Sequence, residues 1–397
     1  MRVLAVTTIY PRPGHETIGT YNWQQFRALA ARHEVSVVVP LPWSEALRDT
    51  WAGRRVPYHY RNADGIEVRH PIYYYPPKVL RHRYGEFYLA SVRRAAAEAV
   101  REFRPDVVLG CFVHPDGWAA VRFAREFGLP VVVKSHGSAV LVTAEQGGLR
   151  RERVAEALRD ADGVVAVSRD LADHILALGA EPDRVDVVYN GIDQQSFSPG
   201  DRDEARAKLG LLAESRIVLF VGNLLISKGG GVLIEACAKL AADREPFTCY
   251  MIGVGRDAGL FSRLISRHDL GGRVVLAGVV PNHELPDWYR ASDVVALPSF
   301  SEGIPNVLRE ALACGRPFVA TRVGGIPEIA EPSNSIMVSP GSVEELALAL
   351  RSVLNGGLIS GRLSSQRPSV LISWRESADN LQECLEKAIR RSTMGLP

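Results

Sequence analysis

The sequence predicts an α/β fold of two successive parallel-sheet domains, and three features of the chain carry that prediction. Short Val-rich runs alternate with amphipathic helical stretches over residues 3–189. The alternation stops near residues 194–215 and then resumes. The runs are apolar on both faces, which marks strands covered by helices on both sides and hence parallel sheets.

In the first half, residues 3–9, 35–39, 107–111, 131–134, 164–167 and 185–189 read as buried strands, and 21–31, 85–103 and 115–127 as helices. The stretch Ser-Phe-Ser-Pro-Gly (196–200) and the charged run 201–206 read as a linker and its flank. Strands are expected again at 217–221, 248–254, 274–277, 294–297, 318–321 and 336–338, with helices at 231–242, 307–314 and 343–354. An amphipathic helix at 375–391 follows the second sheet. The repetition is of architecture, with no short-period repeat. Two sheets with a cleft between them are the expected result.

Composition narrows the function classes. The chain has 397 residues, 47 Lys and Arg against 45 Asp and Glu, and a net charge of +2, so no global charge points to nucleic acid. Apolar residues make up 46% and charged residues 23%, which argues against wholesale disorder. Cys111, Cys237, Cys249, Cys314 and Cys384 form no zinc-ligand spacing and read as buried thiols of a reducing compartment. The N-terminus lacks a basic region followed by a cleavage site, and no run approaches 18 apolar residues. A cytoplasmic location is expected, with the inner membrane face as an option.

Open parallel sheets bind ligands at the carboxyl ends of their strands. The segment Ser-Phe-Ser-Glu-Gly-Ile-Pro-Asn-Val-Leu-Arg-Glu (299–310) follows a strand and opens a helix. Pro305 suits the first helical turn, which leaves the amides of Asn306, Val307 and Leu308 free for a phosphate. Glu302 and Glu310 then either accept hydrogen bonds from neutral hydroxyls, such as those of a sugar and a ribose, or serve only as helix cap and surface charge. Residues 220–231 repeat the strand-loop-helix pattern. There Lys228 beside Gly229, Gly230 and Gly231 suits a diphosphate, although the Walker A spacing is missing. A solvated lysine at a helix start is the alternative. In the first domain, Gly14 and Gly19 lie after strand one. His136 ends another strand, as a hydrogen-bond donor to a ligand or as a structural histidine.

Together these segments resemble family 4 glycosyltransferases, which have the GT-B fold of two Rossmann-like domains facing across a cleft. Glu302 and Glu310 resemble that family's pair of glutamates separated by seven intervening residues. The run continues through Ala311–Thr321 and Val-Gly-Gly-Ile-Pro-Glu (323–328). Residues 221–229 resemble the phosphate-binding segment, 188–197 the interdomain segment, and Trp288–Ser299 also fits. His-Pro-Asp-Gly-Trp-Ala-Ala (114–120) and Lys-Ser-His-Gly-Ser (134–138) are similar to bacterial members that build teichuronic-acid or exopolysaccharide chains.

The resemblance implies sugar transfer from a nucleotide-diphosphate sugar, UDP- or GDP-linked, with retention of anomeric configuration. Glu302 would hold donor-sugar hydroxyls, Glu310 the ribose, and Lys228 the leaving diphosphate. His136 would sit near the sugar, and amides near Gly19 would close the diphosphate site. Gly222, Asn223, Gly229, Gly303, Asn306, Val307 and Leu308 complete the expected donor contacts. The implied domains are 1–197, binding acceptor, and 198–374, binding donor, with 375–397 crossing back to the first. Two departures stand out: Asn223 replaces a common arginine, and Ala139 a common aspartate. No cofactor and no metal are expected, because Asp160-Ala-Asp162 and Asp201-Arg-Asp203 follow no strand beside the diphosphate segment. Rival readings are a nucleotide-sugar epimerase, a phosphorylase, a degenerate sugar-binding subunit and a dinucleotide dehydrogenase. The first strand lacks the dehydrogenase glycine fingerprint.

Residues 51–94 carry nine Lys and Arg against three Asp and Glu, and seven of the twelve tyrosines: Tyr58, Tyr60, Tyr73, Tyr74, Tyr75, Tyr84 and Tyr88. Aromatic faces stack on sugars and settle at membrane interfaces. This stretch either meets a glycan or lipid-linked acceptor at an anionic membrane, or is a solvated basic face with tyrosines capping the core.

Overall fold

The computed structural model describes residues 1–76, 79–137, 140–141, 147–357 and 370–394. The chain forms two compact units, Met1–Gly191 with Ile372–Pro397, and Ile192–Leu371.

The strands of the first unit are β1 (Arg2–Val6), β2 (Glu34–Val38), β3 (Leu41–Pro42), β4 (His59–Arg61), β5 (Glu67–Arg69), β6 (Ile72–Tyr73), β7 (Val107–Cys111), β8 (Val131–Ser135), β9 (Gly163–Ala166) and β10 (Val185–Val187). Eight of them form one sheet in the order β10-β9-β8-β7-β1-β2-β5-β4, while β3 and β6 pair separately. The pairing is parallel throughout the large sheet except at its edge, where β4 runs antiparallel to β5. Every residue of β7 and β8 is buried, as their Val-rich sequences require of strands with helices on both faces. The helices of this part of the chain are α1 (Thr20–Ala30), α2 (Trp43–Trp51), α3 (Tyr84–Phe103), α4 (Trp118–Glu126), α5 (Gly148–Asp160) and α6 (Arg169–Ala177).

The second unit holds α7 (Arg202–Lys208), β11 (Ile217–Val221), α8 (Gly230–Ala242), β12 (Thr248–Ile252), α9 (Ala258–Arg267), β13 (Val274–Gly278), α10 (Leu285–Ala291), β14 (Val294–Leu297), α11 (Asn306–Ala313), β15 (Phe318–Thr321), β16 (Ser335–Val338) and α12 (Val343–Leu354). Its six strands are all parallel, in the order β13-β12-β11-β14-β15-β16. The order reverses between β11 and β14, so the loops after these two strands diverge and leave a crevice at their carboxyl ends.

Two expectations change. The charged run read as a linker is helix α7, started by the Asp201 carboxylate, which accepts a hydrogen bond from the Glu204 amide. The expected helix at 115–127 is shorter at its start, because 113–117 form a wide turn before α4. Residues 192–197 belong to the second unit, where Phe197 packs edge-on against Tyr289.

After the second unit the chain returns as α13 (Trp374–Met394). Ala378, Leu381, Leu385 and Ala388 recur at helical spacing and join the core of the first unit with Phe26, Val132, Val165 and Val188. A buried polar network lies at its start. Lys134 of β8 donates from Nζ to Gln25 Oε1 and to Asn190 Oδ1 (3.1 Å). Gln25 Nε2 donates to Ser377 Oγ (3.0 Å), which donates to the Tyr189 carbonyl (2.6 Å). Burial pushes the Lys134 ammonium down to about 8. Beside the network Gly191 passes so close to α13 that a Cβ there would stand 2.3 Å from the Trp374 Cα.

The tyrosine-rich stretch divides. Tyr73, Tyr75, Tyr84 and Tyr88 form one ring cluster with centroids 5.1–5.9 Å apart, and Tyr73 and Tyr88 are buried. Tyr58 and Tyr74 are exposed. Among the described side chains, five basic residues of this stretch have acidic partners: Arg54 with Asp49, Arg61 with Glu67, Arg69 with Glu102, Arg93 with Glu126 and Arg94 with Glu98. Four of those acids lie outside the 51–94 window, so the local charge count overstated the basic face. Lys78 lies outside the described residues.

Candidate active site

The loops after β11 and β14 are fastened to each other at the reversal point of the second sheet. Lys228 Nζ pairs with Glu302 Oε1 at 2.7 Å, and the same oxygen accepts from Ser299 Oγ at 2.8 Å. The Phe300 amide donates to the Ser227 carbonyl at 2.9 Å. Gly229 makes this approach possible. Its φ is +73°, and a Cβ would stand 1.9 Å from the Pro298 carbonyl oxygen. Two segments that stand apart in the sequence, Lys228 with its glycines and Glu302 before α11, are therefore one site. Glu302 is 9% exposed, and both its fixed hydrogen bonds go to one oxygen, which leaves Oε2 to accept others.

The remaining donor-site candidates fall around this pair. Gly303 accepts from the Gly325 amide (2.7 Å), so the 323–328 segment buttresses the Glu302 loop. Helix α11 starts at Asn306, with Pro305 as its N-cap. The amides of Asn306, Val307 and Leu308 stand in the first turn, where no preceding helical carbonyl serves them. The Asn306 Oδ1 is buried without a partner among the described residues. Glu310 lies one turn further on, and its Oε2 accepts from the Tyr289 hydroxyl at 2.8 Å. Burial raises its carboxyl above the ordinary range against the opposing effect of that bond. Gly222 donates its amide to Ile252 O (3.0 Å), and Asn223 is exposed, its carbonyl accepting from Leu225 N (2.8 Å).

The first unit holds the other candidates. Gly19 is the N-cap of α1, in the left-handed conformation, and its carbonyl accepts from Asn22 N at 3.0 Å. His136 follows β8, its ring 4.8 Å from Tyr21 and 5.0 Å from Phe112. Its Nε2 is buried without a partner among the described residues. Burial, helped by the nearby Lys134 charge, holds the imidazole neutral far below its usual range. Ala139 lies outside the described residues.

One residue escaped the sequence reading. Asp116, in the 114–120 segment, is fully buried, and its Oδ2 accepts from the Thr8 amide (2.9 Å) and Thr8 Oγ1 (3.0 Å). It thereby ties the loop after β1 to the turn after β7, at the point where the first sheet reverses its order. The Tyr88 hydroxyl lies beside it. Burial pushes the Asp116 carboxyl up to about 7. The two Asp-x-Asp motifs hold structure together: Asp162 binds Arg125 and the Val131 amide, and Asp201 caps α7.

Two Rossmann-like parallel sheets, the second with a cation-carboxylate pair at its switch point, define a class. The family model described as "Glycosyl transferases group 1" matches residues 215–356, and that for the "Glycosyl transferase 4-like domain" matches 16–191. The chain is 30% identical over 365 residues to a Bacillus subtilis protein described as the teichuronic acid biosynthesis glycosyltransferase TuaC, covering 88% of each. It is 31% identical over 370 residues to D-inositol 3-phosphate glycosyltransferase 1 of Catenulispora acidiphila, covering 85% of each. Among solved structures, sucrose-phosphate synthase from Thermosynechococcus elongatus aligns with a TM-score of 0.75 at 19% identity, over 99% of this chain and 98% of that one. Anabaena HepE in complex with UDP and glucose aligns with a TM-score of 0.72 at 20% identity, over 96% and 99%. The chain belongs to the family 4 glycosyltransferases of GT-B fold, and it is a glycosyltransferase enzyme.

Proposed function

We propose that this enzyme moves a hexose-type sugar from a UDP- or GDP-sugar to a glycan or lipid-linked acceptor, with retention, in cell-surface polysaccharide biosynthesis. The Lys228–Glu302 pair at the switch point carries the reading. A departing nucleoside diphosphate gains negative charge as the sugar gains positive charge, so catalysis calls for cationic groups fixed at the diphosphate. Lys228 and the first-turn amides of α11 supply them. Glu302 holds donor-sugar hydroxyls through Oε2, and Glu310 holds the ribose. Asn223, Gly222, Gly229 and Gly303 let the backbone approach the donor. In the first unit Gly19 serves the diphosphate, and the neutral His136 gives the sugar a hydrogen bond from its unpartnered nitrogen. In this reading no metal or other cofactor takes part.

The names of relatives support the reading: teichuronic acid biosynthesis for TuaC, and complexes with UDP and with UDP-glucose for HepE. Among the described residues no helix is long and apolar enough to cross a membrane. Trp51, Tyr58, Ile72 and Tyr74 are exposed, and they suit a peripheral site on the cytoplasmic face of an anionic membrane.

The test is turnover of purified protein with a panel of UDP- and GDP-hexoses, followed as nucleotide release, with and without EDTA. One donor should be hydrolysed slowly without acceptor, equally well in EDTA. Failure of every nucleotide sugar to react or to raise the unfolding temperature rejects the reading, and inactivation by EDTA rejects its metal-independent part. Flotation with anionic but not neutral vesicles checks the membrane site.

A further inference from the structure

The amino ends of the second sheet, opposite the candidate active site, border a cavity of about 620 Å3. Arg216, Asp293 and Arg316 line it and stand just before β11, β14 and β15. Strands of four or five residues separate it from the Lys228–Glu302 end, a distance on the order of 15 Å.

Its charges are shared unevenly: Arg216 has Asn355 Oδ1 (2.6 Å) and Glu245 (3.9 Å) as partners, whereas Arg202, Arg206 and Arg316 stand around Asp293. Arg206, 1% exposed, donates to Asp293 Oδ2 (2.9 Å) and to the carbonyls of Ala291 and Ala213. The same Asp293 oxygen accepts from the Ile217 amide (2.6 Å), and its other oxygen receives Arg202 at 3.4 Å. One carboxylate thus serves two guanidiniums and an amide, with Asp203 as a second, exposed partner of Arg202 at 3.3 Å. Arg316 is 6% exposed, and its Nε is buried with no hydrogen-bond partner among the described residues. Two further acids line the cavity: Asp201 is committed to capping α7, and Glu214 is exposed. A guanidinium cannot shed its proton to relieve burial, so an unpaired one calls for an anion. Its planar fork fits phosphate oxygens in pairs. The volume exceeds that of a bare phosphate and leaves room for an attached organic group.

We propose that this cavity is a second anion site, separate from the catalytic end, that binds a small phosphate-bearing ligand through Arg316, with Arg202 beside it. The proposal stands whether or not the donor reading above is right, because it uses none of the donor-site residues.

Titration of the full-length protein with sodium phosphate and with glucose 6-phosphate, against sodium chloride at matched ionic strength, tests it by thermal shift and calorimetry. Wild type should show a saturable shift, and Lys228→Ala should keep one, because the cavity uses none of the donor-site residues. Arg316→Gln should bind roughly 10–100-fold more weakly, the loss expected for a charge-assisted hydrogen bond. Tighter binding of the ester identifies a phosphate monoester as the occupant, and equal binding identifies free phosphate. No shift beyond chloride, an undiminished shift in Arg316→Gln, or loss of the shift in Lys228→Ala would overturn the proposal. Should Arg316→Gln fail to fold, Arg202→Gln decides: binding at least threefold weaker supports the site, and unchanged binding overturns it.

Discussion

At the scale of single residues, the pairing of Lys228 with Glu302 changes what mutation should do. From sequence, alanine at either position is expected to abolish transfer with little loss of stability. The structure places the Glu302 carboxylate in a buried position with Lys228 and Ser299 as its partners. Lys228→Ala should therefore lower turnover by roughly 10²–10³-fold and also cost about 1–3 kcal/mol, because a buried charged acceptor loses a donor. Glu302→Gln keeps an acceptor for both donors, so it should lose turnover with little change in the urea midpoint. Comparing kcat with denaturation midpoints for the two variants separates the effects. Asp116 gives a pH prediction. Its folded-state value of about 7 lies above the ordinary carboxyl value of 3.8, so the folded protein binds the proton more tightly than the unfolded chain. Its contribution to stability is then greatest in acid and falls as pH rises from about 4 to about 7. Asp116→Asn should remove that fall, seen as a flatter profile of urea midpoint against pH. A variant profile parallel to wild type would refute the assignment.

At the scale of elements, the site depends on a turn that only glycine fits. Gly229→Ala would press a methyl group into the Pro298 carbonyl at a left-handed backbone position. The turn before α8 should move away from β14 and separate Lys228 from Glu302. Turnover should fall as far as in Lys228→Ala, with a stability loss of about 1–3 kcal/mol from backbone strain; kinetics and thermal melts would show both. Elements of this kind were legible because their signals are local: Val-rich strands, glycines at a helix start, a proline before α11. The unread parts depend on distance along the chain. Asp116 meets Thr8 across 108 residues, and Arg69 meets Glu102 across 33. No local pattern of a few residues links the partners of either pair. The charged run 201–206 is ambiguous in sequence because linker composition and an Asp-capped helix start share the same residues.

At the scale of the whole molecule, residue patterns showed two sheets and their order of appearance, and only the family resemblance implied a return of 375–397 to the first domain. The stripe Ala378, Leu381, Leu385 and Ala388 belongs to the first unit although the second unit intervenes. A chain ending at residue 371 should expose Phe26, Val132 and Val165 and aggregate, as light scattering would show. The Lys134 network has a further consequence. It clamps Tyr189 and Asn190, where the chain leaves the first unit, to Ser377, where it has just returned, and Gly191 already touches Trp374. In topological terms residues 192–371 are inserted within the first unit, and the two ends of the insert share one doorway. The insert should be excisable: joining residue 191 to 372 through a few Gly and Ser residues should leave a monomer that melts cooperatively and keeps its circular-dichroism signature.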